Sequence, residues 1–186
     1  MIIKAQRLAL GIALLVLVSF PAMAQDYLYQ ARLFGGAGIG KFYDDEGSLG
    51  KGWTYRTGAE WRPLSRLGLQ GELVGIHHTR GDYFNVRGDA AMFSGNAVYY
   101  FSRSRVQPYL LAGIGVLKTS YNYGWPAGDP RRYSVSKTET QLSLGGGMQV
   151  FLNRRWSLDP HLRLAASAPS GYALVNYFSI SAGYHW

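Results

Sequence analysis

Asp159, His161 and Arg163 stand two residues apart in the run LDPHLRL. On an extended chain that spacing puts all three side chains on one face. An Asp that orients a His is the base half of a hydrolase triad. No serine is tied to this pair by a motif, so His161 reads as an interior residue satisfied by its neighbours. His77 and His78 are adjacent, and adjacent residues on a strand point to opposite faces. They are therefore poor co-ligands for one metal. Gly35 to Gly40 reads GGAGIG, which before a helix would suggest a phosphate loop. No helical pattern follows, and the glycines read as room made inside a crowded strand layer. The chain has zero Cys, which excludes disulfides and thiolate metal sites. No catalytic residue, no metal site and no cofactor is expected.

The other chemistry is charge. Arg32, Arg56, Glu60, Arg62, Glu72, Glu139, Asp159 and Arg163 each fall on the polar side of an alternating segment. If that side faces a closed interior, these groups must pair, because an isolated buried charge is far too costly. Arg80, Arg87, Arg131, Arg132 and Lys137 instead fall in polar stretches between segments. Arg grips phosphate with two parallel donors, so these five form a candidate basic rim.

Eight alternating segments of about ten residues must position these groups. They run Tyr29–Phe42, Trp53–Arg62, Leu67–Ile76, Asp89–Phe101, Val106–Tyr121, Thr138–Leu152, Trp156–Ala166 and Leu174–Trp186. In the first, Tyr29, Ala31, Leu33, Ala37 and Ile39 share the apolar face, and Arg32 lies on the other. In the second, Trp53, Tyr55, Thr57, Ala59 and Trp61 face out while Arg56, Glu60 and Arg62 face in. The fifth is apolar on both faces from Tyr109 to Leu117, which leaves its facing open. Long polar stretches (Tyr43–Lys51, His77–Gly88, Asn122–Lys137) alternate with short turns (Pro63–Arg66, Ser102–Arg105, Asn153–Arg155).

The last segment is the most regular. Leu174, Asn176, Phe178, Ile180, Ala182, Tyr184 and Trp186, apolar or aromatic apart from Asn176, alternate with Val175, Tyr177, Ser179, Ser181, Gly183 and His185. Termini usually fray, whereas a strand in lipid must stay paired to its end, since unpaired backbone there costs several kcal/mol. The N-terminus names a compartment. Lys4 and Arg7 precede an apolar run, Leu8–Phe20, and Ala22-Met23-Ala24 is a small-x-small cleavage site. Residues 1–24 are expected to be a signal peptide, leaving 162 residues (186 − 24) as one domain, 25–186, with formal charge falling from +8 to +6. No Cys for lipid attachment is present. In an exported protein the basic surface points to anionic lipid rather than nucleic acid.

In these features the chain resembles the small bacterial outer-membrane β-barrel proteins of the OmpA-like or OmpX-like type. Pro108-Tyr109-Leu110-Leu111-Ala112-Gly113-Ile114-Gly115 adds to the resemblance, as does the aromatic end of the last strand. Trp186 departs mildly, since the family more often ends in Phe. The resemblance implies an all-β fold, an eight-stranded antiparallel up-and-down transmembrane β-barrel in the outer membrane of a Gram-negative cell. It also implies that Phe178, Ile180, Tyr184 and Trp186 are read by the barrel-assembly machinery.

With long loops outside and short turns in the periplasm, both termini fall on the periplasmic side, and no further domain is expected after the last strand. The expected role is a non-catalytic scaffold with interaction loops. Its partners are outer-membrane lipids, lipopolysaccharide at Arg80, Arg87, Arg131, Arg132 and Lys137, and a host or cell-surface partner. Three alternatives remain. A narrow channel would use the inward charges. A lipid A-modifying enzyme would use His, Asp and Ser, the types offered at His77, His78, Asp82 and Ser134. A soluble lipocalin-like barrel would keep its apolar face inside.

Overall fold

The computed structural model describes residues 29–44, 47–78, 86–123, 133–168 and 174–186. The expected leader lies outside these residues. Eight strands form among them: β1 (Ala31–Asp44), β2 (Gly47–Leu64), β3 (Leu67–His78), β4 (Val86–Tyr100), β5 (Val106–Tyr123), β6 (Tyr133–Phe151), β7 (Trp156–Ala168) and β8 (Leu174–His185). Each pairs antiparallel with its sequence neighbours, and β1 pairs with β8 to close the barrel. Among the described residues no helix is long and apolar enough to cross a membrane.

The register sets the shape. Successive registered partners, from Arg32 through Glu60, Gln70, Asn96, Gly113, Ser143, Ala165 and Val175, lead back to β1 at Phe42. The stagger is ten residues (42 − 32). With a rise of about 3.3 Å per residue and about 4.8 Å between strands, it tilts the strands by about 40°. Each residue then advances about 2.5 Å along the barrel axis. Trp53 and Trp61, 68% and 57% exposed, mark the ends of an apolar outer band. Their spacing on β2 corresponds to about 20 Å along the axis, close to the roughly 25 Å band of such barrels. Leu69, Leu73, Phe93, Leu110, Ile114, Leu144, Leu162 and Ile180 fill the band, each at least 48% exposed.

The strands run further than the alternation suggests on the long-loop side. Most of the polar stretch Tyr43–Lys51 is a paired ladder, with Lys41 opposite Lys51 and Asp44 opposite Gly47. Outside lipid both faces of a ladder meet water, so its composition becomes that of a loop and the apolar period disappears. The β5–β6 ladder likewise continues to Tyr123 opposite Tyr133.

The structure corrects the facing of Tyr29. It precedes β1 rather than belonging to it, and its ring turns into the barrel end, only 7% exposed. Alternation does not extend past a strand's first residue. The structure also settles β5: Gln107, Tyr109, Leu111, Leu117 and Thr119 point inward, and Leu110, Ile114 and Val116 outward. The lumen is layered. A buried apolar cluster of Phe42, Val74, Ile76, Met92, Leu117 and Val175 fills the long-loop half. Val98, Tyr100, Tyr109 and Leu111 form a smaller one toward the short turns. Between them lies a charged tier.

Candidate functional site

The charged tier is built from inward positions of four strands. Arg32 comes from β1, Arg56, Glu60 and Arg62 from β2, Glu72 from β3, and Asp159 and Arg163 from β7. They form one chain of alternating sign. Arg62 Nε lies 3.7 Å from Glu60, and Glu60 meets Arg32 Nε at 2.8 Å. Arg32 and Arg56 share Asp159 Oδ2 at 3.2 and 3.4 Å. Glu72 then links Arg56 at 3.4 Å to Arg163 at 3.0 Å. None of the seven side chains is more than 1% exposed.

Each carboxylate also accepts a tyrosine hydroxyl. Tyr100 donates to Glu60 at 2.8 Å, Tyr109 to Asp159 at 2.7 Å, and Tyr177 to Glu72 at 2.5 Å. A hydroxyl supplies a donor without adding charge, which suits a cluster in which four arginines already exceed three carboxylates. The one surplus positive charge is offset by dipoles and rings around the arginines. Arg163 Nη2 donates to Asn96, Ser143 and Ser94 at 2.6, 2.5 and 3.1 Å. Arg62 lies over the Tyr29 and Tyr100 rings, 4.0 and 3.6 Å from their centroids, and donates to the Tyr29 hydroxyl at 2.6 Å. Arg56 stacks over Phe34 at 4.5 Å.

Seven of the eight residues expected in an interior network thus meet. Glu139 does not lie in this chain; it pairs with Lys137 at 2.6 Å. Its inward parity is as expected, but it stands opposite Leu117, itself a member of the apolar cluster in the long-loop half, away from the charged tier. No motif marks Tyr29, Tyr100, Tyr109 and Tyr177 as partners of the luminal charges. Tyr100 sits between outward Tyr99 and Phe101, where its parity alone was the signal. Tyr177 was on the polar face of β8.

Other chemical groups separate. The Tyr109 hydroxyl stands between Asp159 and His161, 2.9 Å from His161 Nδ1, so Asp and His are joined through a phenol rather than directly. Among the described residues no serine hydroxyl bonds to His161, which is 1% exposed. Ser157 does meet His185 Nε2 at 2.8 Å, but Tyr29 covers that ring at 4.3 Å and His185 Nδ1 has no hydrogen-bond partner. Neither pair has the geometry of a triad open to substrate. On the outer wall, His77 Nδ1 meets Asp89 at 2.9 Å, both well exposed, beside the Tyr55 ring. Among the described residues no group of three His, Asp or Glu could hold a metal.

The expected basic rim is placed only in part. Arg80, Arg131 and Arg132 lie outside the described residues, as does Asp82. Arg87 lies on β4, and His78 and Ser134 lie on β3 and β6, with only their backbones described. Lys137 is exposed and paired with Glu139. On β8, Phe178 and Ile180 face outward at 43% and 51% exposure, Tyr184 has the same parity, and Trp186, just past the strand's end, is 58% exposed. Trp186 is tied by its backbone to Ala31 (N–H to O, 3.1 Å), where the barrel closes.

Residues 10–186 match the family model described as outer membrane protein beta-barrel domain. A sequence search among curated proteins finds no match. Among solved structures, Neisserial surface protein A is similar with a TM-score of 0.68 at 17% identity, over 84% of this chain and 97% of that one. Ail, the attachment invasion locus protein of Yersinia pestis, solved in complex with the heparin analogue sucrose octasulfate, gives 0.59 at 16% identity, over 84% and 97%. The N-terminal β-barrel domain of Pseudomonas aeruginosa OprF gives 0.56 at 14% identity, over 85% and 98%. At such identities the likeness is one of fold.

Proposed function

The chain belongs to the outer membrane protein beta-barrel domain family, and on that premise we propose that it is a sealed, non-conducting scaffold for its extracellular connections. It resides in the cell outer membrane. The observation that carries the reading is the seven-member ion chain, which crosses the lumen without a water-accessible side chain. An eight-stranded barrel is just wide enough for its own side chains, so such a chain acts as a plug. Planar-bilayer recording of the refolded protein tests this. The scaffold gives no discrete openings; steps in the parent that change with Glu72→Gln or Arg163→Gln would make it a channel.

In this reading residues 1–24 are removed on export, and the short turns and both termini face the periplasm. The C-terminal residues Phe178, Ile180, Tyr184 and Trp186 serve recognition by the assembly machinery. Arg80, Arg87, Arg131, Arg132 and Lys137 contact lipopolysaccharide phosphates or a surface partner. The Ail complex with a sulfated sugar supports polyanion capture as a use of this fold. Charge-neutral Gln variants at Arg131 and Arg132 should weaken retention on lipopolysaccharide or heparin columns, with heat-modifiable gel mobility unchanged.

One observation favours a second reading: the exposed His77–Asp89 pair at the long-loop end. In an acyl transfer on lipid A, Asp89 would orient His77 as the base. Lipid A mass spectra from cells with and without the protein decide between the two. A new lipid A species that His77→Ala abolishes would establish the enzyme.

A further inference from the structure

The three short turns share a composition that the ion chain does not explain. The first holds Leu64, 63% exposed, and Arg66. The second holds Phe101, 53% exposed, with Arg103 and Arg105. The third holds Leu152, 54% exposed, with Arg154 and Arg155, and runs into Trp156. All five arginines are exposed, and among the described residues none forms an ion pair. No exposed Asp or Glu side chain is described at this end; Asp89 and Glu139 lie at the other.

A turn that meets only water has no use for a large apolar side chain beside each cation. A turn seated where acyl chains give way to headgroups uses both, the apolar group below and the guanidinium above. The register agrees. Trp61, Tyr99, Phe101, Trp156 and Trp186 fall within about 7 Å of one height along the axis, a girdle directly beneath the arginines. The third turn is also rigid: Asn153 Oδ1 accepts from the backbone N–H of Arg155 and Trp156 at 2.8 and 2.9 Å.

We propose that the short turns form a ring that binds the phosphate headgroups of anionic phospholipid in the leaflet they face. Arg66, Arg103, Arg154 and Arg155 supply the contacts. Arg105 has a structural share, since its Nε donates to the Phe151 carbonyl at 2.8 Å. The leaflet is the inner one if the turns face the periplasm as proposed above, but the affinity belongs to the turns in either orientation.

The test refolds the full mature chain, with Trp156 as its sole tryptophan, into phosphatidylcholine vesicles. The vesicles carry acyl-brominated phosphatidylglycerol or acyl-brominated phosphatidylcholine. Quenching of Trp156 should favour phosphatidylglycerol by about two- to fivefold. The preference should fall by more than half toward parity in R103Q/R154Q/R155Q, which keeps only Arg66 of the four contacts, while a parallel chain keeping only Trp53 at the far end is unaffected by those changes. Should the triple variant fail to fold, salt decides: about 0.5 M salt shortens screening to about 4 Å and should remove the preference in the Trp156 parent. Equal quenching in the parent, or a preference that survives both salt and substitution, overturns the proposal. Failure of the orientation reading would appear separately, as labelling of a Ser65→Cys variant on intact cells.

Discussion

The Tyr109 hydroxyl donates to Asp159 Oδ1 at 2.7 Å, while the same carboxylate holds Arg32 and Arg56 through its other oxygen. Asp159 is therefore the middle link of the luminal chain, with two cations on one side and a neutral donor on the other. Asp159→Asn would leave both arginines buried against an amide. The expected loss is about 3–5 kcal/mol, against about 1–3 kcal/mol for Tyr109→Phe, which removes one neutral donor. Urea unfolding of the vesicle-folded barrel, followed by tryptophan fluorescence, measures both. Equal losses would mean that the charge is not what the site holds.

The far end of the chain makes a coupled pair. Glu72 joins Arg163 at 3.0 Å and Arg56 at 3.4 Å. Glu72→Gln and Arg163→Gln should each destabilise strongly, and the double variant should lose about 1–3 kcal/mol less than their sum. A double-mutant cycle reads this directly; strict additivity would show that the two groups do not sense each other.

Most of the lumen was legible from parity alone. Arg56, Glu60 and Arg62 alternate with Tyr55, Ala59 and Trp61, and the barrel keeps that facing. Partner choice was not legible, because it depends on the ten-residue stagger, which brings Asp159 on β7 within reach of Arg56 on β2. Glu139 shows the limit: it has the right parity but lies at another height. Tyr29 shows a second limit, since a residue outside the ladder obeys no period. Apolar residues on both faces of β5 hid its facing, because this lumen is itself apolar above and below the charged tier.

Gly38 and Gly71 should respond oppositely to alanine. A Cβ at Gly38 would strike the Phe178 carbonyl and the Ser179 Cα on β8, at the barrel's closing seam, whereas at Gly71 it meets nothing within 4 Å. Gly38→Ala should reduce the heat-modifiable fraction after refolding and raise the unfolding rate. Gly71→Ala should match the parent on the same gels. A tolerant Gly38 would mean that β1 and β8 pack less closely than described.

Tyr29 closes the short-turn end. Its ring lies 4.3 Å from His185 and beneath Arg62, and its hydroxyl reaches Gln149 at 3.0 Å. Tyr29→Ala should cost about 3–5 kcal/mol, and Tyr29→Phe less, since the stack on Arg62 remains. Urea midpoints of the two variants check the order. A Phe variant as weak as Ala would assign the stability to the hydroxyl alone.

The barrel is a wall that meets lipid around a lumen closed to water. Spin labels at Leu144, Leu162 and Ile180, which are 66%, 56% and 51% exposed, read the first half of it. Labels at Gln141 and Ser181, both 0% exposed, read the second. In vesicles the wall labels should relax with oxygen and not with a water-soluble nickel chelate, and the luminal labels should respond to neither. A luminal label relaxed by nickel would mean that the lumen admits water, and a wall label relaxed by nickel in place of oxygen would mean that the wall does not face lipid.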